Sequence, residues 1–358
     1  MRRRQFVAAA ATLPAVGIAG CPDDSADGAE TSDGQSDDPP RAYARWLPAS
    51  HPDDSADAVT YVHEDWSDGP LGADLEAFTA WESRGYELSN PETYDGDRMI
   101  AVPFGGFFRL LFGVTDRYGA YPFYTDLRSG PDDAAAVGKT TAVLRVAAAT
   151  VYRGSYDTDE LAGRAGNFEA VDTRGEFTLY ERPAEADDDR DTPTPGPDEP
   201  EVGALAFAAG ESAVVVPEVT VEDPLGRVEA LLDVRHGKTE RIWEADEDAG
   251  WALSTVGGRT VSVGAWTDRG GEGNAGERPY QVPETVGDVG PTTAEIYALG
   301  SDDSAVTVRL AAAYREGERP TSDGIASAAG HTADERDVET TERRLEVTAT
   351  WRAETDGE

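Results

Sequence analysis

The sequence predicts an α+β fold: two tandem ferredoxin-like repeats of βαββαβ type, each with an antiparallel sheet, after a disordered tether. Three observations predict it. Two globular blocks, 41–183 and 202–353, are separated by an acidic, proline-rich linker at 184–201. Similar segments recur in the same order in both blocks, the signature of an internal duplication. Within each block the hydrophobic period changes in the order strand, helix, strand, strand, helix, strand.

The repeated segments are specific. Asp68-Gly69-Pro70-Leu71-Gly72 leads into Leu75-Glu76-Ala77-Phe78, and Glu222-Asp223-Pro224-Leu225-Gly226 leads into Val228-Glu229-Ala230-Leu231. Later, Ala142 to Ala149 is echoed by Val306 to Ala313. Ala58 to Trp66 reads as a strand, and Leu205 to Pro217 as a hairpin turning at Gly210-Glu211. A helix follows each, because Asp68 and Asp223 suit a cap, Pro70 and Pro224 suit a first turn, and Leu225, Val228 and Leu232 share a helical face. Met99 to Phe104 and Thr260 to Trp266 are rich in β-formers, and Val143 to Tyr152 and Ala305 to Tyr314 supply one strand each. Asp157 to Gly166 and Ser322 to Gly330 read as short capped helices ending at glycine. Phe168 to Tyr180 and Val338 to Trp351 close the two repeats as strands.

Charge bounds the partners and the solvent. Asp plus Glu number 70 against 31 Lys plus Arg, a formal charge of -39, and lysine occurs only at Lys139 and Lys238. Such a surface repels nucleic acid and anionic headgroups, so nucleic acid is excluded as a partner. Near 1 M salt the screening length shrinks to about 3 Å, where crowded carboxylates no longer oppose compaction. Seven Trp, thirteen Tyr and ten Phe supply anchors for a core, which separates this chain from acidic disordered proteins.

The amino terminus carries an address. Arg3-Arg4-Gln5-Phe6-Val7 precedes an apolar run ending Ile18-Ala19-Gly20-Cys21. The run is shorter than the roughly 20 residues a membrane span needs, so residues 1–20 read as a cleavable signal peptide. Residues 21–40, rich in Asp, Ser, Gly and Pro, read as a flexible tether beginning at Cys21. Cys21 is the only cysteine, so no intrachain disulfide can form.

The search for chemistry is mostly empty. No zincin helix motif, nucleophile elbow, phosphate-binding loop, dinucleotide fingerprint or EF-hand loop occurs, and there is no Asn-x-Ser/Thr acceptor. No cofactor, metal or catalytic residue is expected. Of the four histidines, His51, His63, His236 and His331, only His63 sits in a local cluster, His63-Glu64-Asp65. On a strand His63 and Asp65 share one face while Glu64 takes the other. The pairs Asp53-Asp54, Asp132-Asp133 and Asp302-Asp303 lie in turn contexts, where Asp is solvated. The segment from Ile100 to Tyr124 is dense in aromatics; Phe104, Phe107, Phe108 and Phe112 form either an interaction surface or a particularly dense part of the core.

With these motifs on the page, the chain resembles a haloarchaeal twin-arginine-exported lipoprotein. Arg3-Arg4 looks like the export signal and Ile18-Ala19-Gly20-Cys21 like a lipobox. Tyr43-Ala44-Arg45-Trp46-Leu47-Pro48 and Arg153-Gly154-Ser155-Tyr156-Asp157-Thr158-Asp159 are similar to stretches of such proteins. The resemblance implies cleavage before Cys21, lipid attachment to its sulfur, and residence on the extracellular face of the cell membrane. It implies a membrane partner through the anchor and an envelope-protein partner. The expected function is a non-enzymatic binding or structural envelope module; the alternatives are a carboxylate- and metal-dependent surface hydrolase, with His63 and Asp65 as candidates, and a solute-binding lipoprotein.

Overall fold

The computed structural model describes residues 41–51, 58–66, 97–111, 121–127, 137–183, 204–256, 261–267, 292–302, 305–318 and 321–352, with the backbone alone for Phe104, 106–111, Thr267 and Asp302. A 3₁₀ helix (Ala42–Trp46) leads to β1 (Ala58–Asp65), followed by α1 (Arg98–Leu111) and α2 (Tyr124–Leu127). Then come β2 (Gly138–Val146), β3 (Ala149–Tyr156), α3 (Thr158–Arg164), β4 (Glu169–Arg174) and β5 (Phe177–Arg182). The second half runs β6 (Leu205–Ala209), β7 (Ala213–Pro217), α4 (Pro224–Arg235), α5 (Ile242–Ala245), α6 (Glu247–Val256) and β8 (Val261–Thr267). It ends with β9 (Thr292–Asp302), β10 (Ala305–Tyr314), α7 (Ser322–Ala328), β11 (Glu335–Thr340) and β12 (Arg344–Arg352).

All twelve strands form one sheet in the order β11-β12-β10-β9-β8-β1-β2-β3-β7-β6-β5-β4, and every neighbouring pair is antiparallel. The expectation of two ferredoxin-like repeats is therefore corrected. A ferredoxin-like repeat closes its own sheet, whereas here each half completes the other. Strand β1 pairs β8 from Ala58↔Thr267 to Glu64↔Val261, and β3 pairs β7 from Ala149↔Pro217 to Arg153↔Ala213. These seams satisfy backbone donors and acceptors that two separate sheets would leave at open edges. What does recur is a hairpin, a short helix and a second hairpin: β2-β3-α3-β4-β5 and β9-β10-α7-β11-β12. In the second set β12 pairs β10 directly, while in the first β6 and β7 stand between β5 and β3. The echo of Ala142 to Ala149 in Val306 to Ala313 joins non-equivalent strands, the first and second of their respective hairpins.

Helices cover both faces of the sheet. Val62, Val143, Val214, Val263, Leu299, Val308 and Val347 face one core shared with Met99 and Ile100 of α1, Leu127 of α2, Leu161 of α3 and Ile325 of α7. Tyr61, Leu144, Val151, Val215, Ile296 and Ala311 face the other, shared with Trp46, Leu231 and Leu232 of α4, Ile242 of α5 and Leu253 of α6. Period-2 alternation sorts each strand's residues between the two cores. Among the described residues no helix is long and apolar enough to cross a membrane.

Local chemistry explains which elements were legible. The Asp223 side chain accepts from Gly226 N and Pro224 stands in the first turn of α4. Asp157 caps α3 by accepting from Asp159 N and Glu160 N, and Gly166 lies at φ 67° just beyond its end. Two readings fail for identifiable reasons. Val143 to Tyr152 is not one strand but the β2–β3 hairpin, turned by Ala147 and Ala148 at φ 48° and 57°. Turns with two positive φ angles normally advertise themselves with Asn or Gly, and alanine hides this one. Met99 to Phe104 is helix, not strand. The Asp97 carboxylate accepts from Met99 N at the start of α1, and Met99, Ile100 and Val102 are fully buried against the sheet, so tertiary burial overrides β-propensity.

Both sheet edges are short charged strands. Strand β4 carries Glu169, Asp172 and Arg174, and β11 carries Glu335, Arg336, Asp337 and Glu339; nearly every residue in them is exposed. Charge on an edge blocks the addition of a further strand.

Candidate functional site

The four central strands β9-β8-β1-β2 hold polar clusters on both faces. On the α1 face, Glu295 of β9 accepts from Arg98 Nε at 2.9 Å and Nη2 at 2.7 Å, from Tyr297 OH at 2.5 Å and from Thr292 Oγ1 at 3.1 Å. Arg98 Nε also lies 2.7 Å from Tyr297 OH. Arg98 and Glu295 are 2% and 4% exposed. Burial works against the guanidinium charge, and the adjoining Glu295 carboxylate more than offsets it, so the Arg98 pKa is raised. One residue earlier, Asp97 accepts from Gly330 N at 2.9 Å and from Thr332 N and Oγ1 at 3.1 and 2.8 Å. The two side chains rivet the start of α1 to β9 and to the loop after α7.

On the opposite face lies the one cluster that carries the sequence's candidate. Ser262 of β8 stands opposite His63 of β1 in the ladder. The Tyr61 hydroxyl is 2.8 Å from Ser262 Oγ, and the Tyr43 hydroxyl is 3.2 Å from Ser262 Oγ and 3.4 Å from Tyr61 OH. The Tyr43 ring stacks on His63 at 4.2 Å between centroids. Glycine at 264 makes room for this arrangement: it pairs with Tyr61, and a Cβ there would come within 2.3 Å of the Tyr61 ring. Gly264→Ala is accordingly expected to lose about 1–3 kcal/mol by overpacking. A guanidinium denaturation midpoint equal to wild type would refute this role.

His63 is 6% exposed, and neither ring nitrogen has a hydrogen-bond partner. Burial, reinforced by the nearby Arg153 cation and opposed by Asp65, lowers its pKa to about 3. The imidazole is therefore neutral throughout the physiological range. His63 and Asp65 do share a face, and Glu64 turns to the other core, as the alternation requires; but Asp65 is exposed at the end of β1. A general base needs hydrogen-bond contact with the group it serves and an orienting partner, and the described side chains give His63 neither. Among the described residues no group of three His, Cys, Asp or Glu side chains comes together as a metal-ion site.

The other expected residues fall as follows. Cys21, Arg3, Arg4 and Phe112 lie outside the described residues, as do Asp53-Asp54 and Asp132-Asp133. Phe104, Phe107 and Phe108 lie in α1, with side chains outside the description. Tyr121, Phe123 and Tyr124, at the end of the aromatic segment, are buried in the α1-side core. His236 Nε2 lies 3.1 Å from Glu176 Oε2, and His331 Nδ1 lies 3.7 Å from Asp97. Sequence reasoning missed the Asp97, Arg98, Glu295 and Tyr297 rivet, because nearly 200 residues separate its two sides and no local spacing announces it.

A shallow groove of about 680 Å³ lies between the start of α6 and the β11–β12 turn, lined by Asp246, Glu247, Asp248, Thr341, Arg343 and Arg344 among others. Its arginines are already paired: Arg343 with Asp248 at 2.6 Å, and Arg344 with Asp248 and Glu247 at 2.9 and 3.1 Å. Arg344 also sits over the Trp251 ring at 4.9 Å. The groove reads as a strut between α6 and the end of the sheet.

No protein-family model matches the chain, and no curated protein matches it in sequence. Among solved structures it is similar to the treponemal protein TP0453. Crystal form III of that protein is 14% identical, covering 89% of this chain and 96% of that one at a TM-score of 0.37. Crystal form I is 13% identical, covering 89% and 95% at a TM-score of 0.35.

Proposed function

We propose that this chain is a lipid-anchored, non-enzymatic binding or structural module on the extracellular face of the cell membrane of a halophilic archaeon. The observation that carries the reading is the order Arg3-Arg4, apolar run, Cys21 with no other cysteine in the chain. The acid excess supports the solvent half of the proposal, since a charge of -39 opposes compaction unless salt screens it. The architecture, with cores on both faces of one sheet, supports the other half: the one histidine candidate is core, and the conspicuous buried polar groups hold elements together. A single lipid chain attaches a protein only marginally, so a second lipid chain or an envelope-protein partner completes the attachment, since a net charge of -39 is repelled by anionic headgroups.

Cys21→Ser is expected to move the protein from the membrane fraction to the medium. Fractionation of the native host, with the variant and wild type expressed from the same promoter, reads this directly. Membrane retention of the serine variant would contradict the proposed anchor.

A further inference from the structure

Residues 22–40 hold no large apolar side chain, yet Tyr43, Trp46 and Leu47 follow almost at once. All three are buried, as is Ala44 between them. They share the core of the α4 face with Leu231, Leu232, Ile242 and Leu253. The first residues of a fold fray unless something ties them down, and here the ties run to elements far apart in the sequence.

The Tyr43 ring lies 5.5 Å from that of Tyr61 and 4.2 Å from that of His63, both on β1, and its hydroxyl is 3.2 Å from Ser262 Oγ of β8. One turn on, Trp46 packs edge-on against Phe177 of β5 at 6.0 Å, with the Arg235 guanidinium of α4 5.7 Å from its ring. Backbone bonds continue the attachment. Pro48 forms an antiparallel bridge with Arg241, Ala49 N donates to the Glu240 carbonyl at 3.1 Å, and Ile242 N donates to the Leu47 carbonyl at 3.1 Å. Trp266 Nε1 of β8 donates to the Ala49 carbonyl at 3.3 Å. Strands β1 and β5 belong to the first half of the chain, whereas β8, α4 and the loop between α4 and α5 belong to the second. The short segment 41–49 therefore grips both halves.

We infer that residues 41–49 are a load-bearing clasp: a pull entering the fold at Arg41 is shared by both halves of the sheet, so the fold yields as a whole instead of peeling from this end. The source of the pull is the proposed anchor at Cys21, so the inference rests on that reading for its purpose but not for its geometry. Lifting the clasp would bring Tyr43, Trp46 and Leu47 into water together and take the Tyr43 hydroxyl away from Ser262.

The test pulls the full-length chain, produced without lipid, between Cys21, its only thiol, and a cysteine introduced by Glu342→Cys in the exposed turn between β11 and β12, with DNA handles in an optical trap. The first unfolding event should free far more chain than the clasp contains. A separate, earlier extension of about 3 nm, the length of 41–49 at about 3.5 Å per residue, would overturn the inference. Tyr43→Ala combined with Leu47→Ala should create that early step, and its absence in the double variant would overturn the inference equally, because these side chains would then not hold the clasp. Native-state hydrogen exchange of the unaltered chain needs no variant. The amides of Leu47, Ala49 and Ile242 should exchange within about tenfold of the β1 amides and with the same denaturant dependence; faster exchange through local fraying would show a loose end, not a clasp. Neither readout depends on the lipid. A firm clasp in a protein whose native form carries an unmodified Cys21 would sink the anchor alone, and a loose one behind a lipid-linked Cys21 would sink the clasp alone.

Discussion

Replacing Glu295 by alanine is expected to destabilise the protein by about 3–5 kcal/mol, the usual loss when one member of a buried ion pair is removed. The size follows from what stays behind. Arg98 is 2% exposed and spends both Nε and Nη2 on the Glu295 carboxylate. Without that acceptor its charge remains in the α1-side core with the Tyr297 hydroxyl as its neighbour. Because the pair joins α1 to β9 across 197 residues of sequence, the loss should appear as a lower midpoint for the whole sheet rather than as local fraying. The double variant Arg98→Met, Glu295→Leu removes both charges and should recover most of the stability, since well-packed apolar replacements of buried pairs are often neutral. Chemical denaturation of the three proteins in molar salt checks this. A Glu295→Ala cost below about 1 kcal/mol, on that same scale, or a double variant as weak as the single one, would show that the pair does not hold α1 to the sheet.

The second large effect is on acid stability. The His63 pKa falls from 6.5 to about 3 on folding. Between these values the unfolded chain binds a proton that the folded chain refuses, so this residue favours unfolding increasingly as pH drops. Its penalty is absent above about pH 6.5, grows by about 1.4 kcal/mol per pH unit below it, and levels off near pH 3 at about 5 kcal/mol. His63→Phe keeps a ring against Tyr43 and removes the titration. The stability of the variant relative to wild type should therefore rise by several kcal/mol as pH is lowered from 7 to 4. Parallel stability curves across that range would show that His63 protonates freely in the folded state.

Parts of this fold can be read from the sequence because their signals are local. Asp223-Pro224 writes its own helix start, and Gly210-Glu211 writes its own turn. The expected pair of ferredoxin-like repeats does not form: what recurs is a hairpin, a short helix and a second hairpin, and which strand pairs with which across the halves is a long-range matter. Nothing near Ala58 or Val261 says that β1 and β8 will meet, and that seam turns two expected sheets into one. The candidate site shows the same division. Period-2 alternation places His63 and Asp65 on one face, yet burial decides that His63 is a neutral core residue.

The anchored, extracellular reading is tested most directly by intact-mass spectrometry of the protein isolated from membranes of its native host. The expected species lacks residues 1–20 and carries a lipid on the sulfur of Cys21. A full-length, unmodified chain recovered from the cytosol would contradict it.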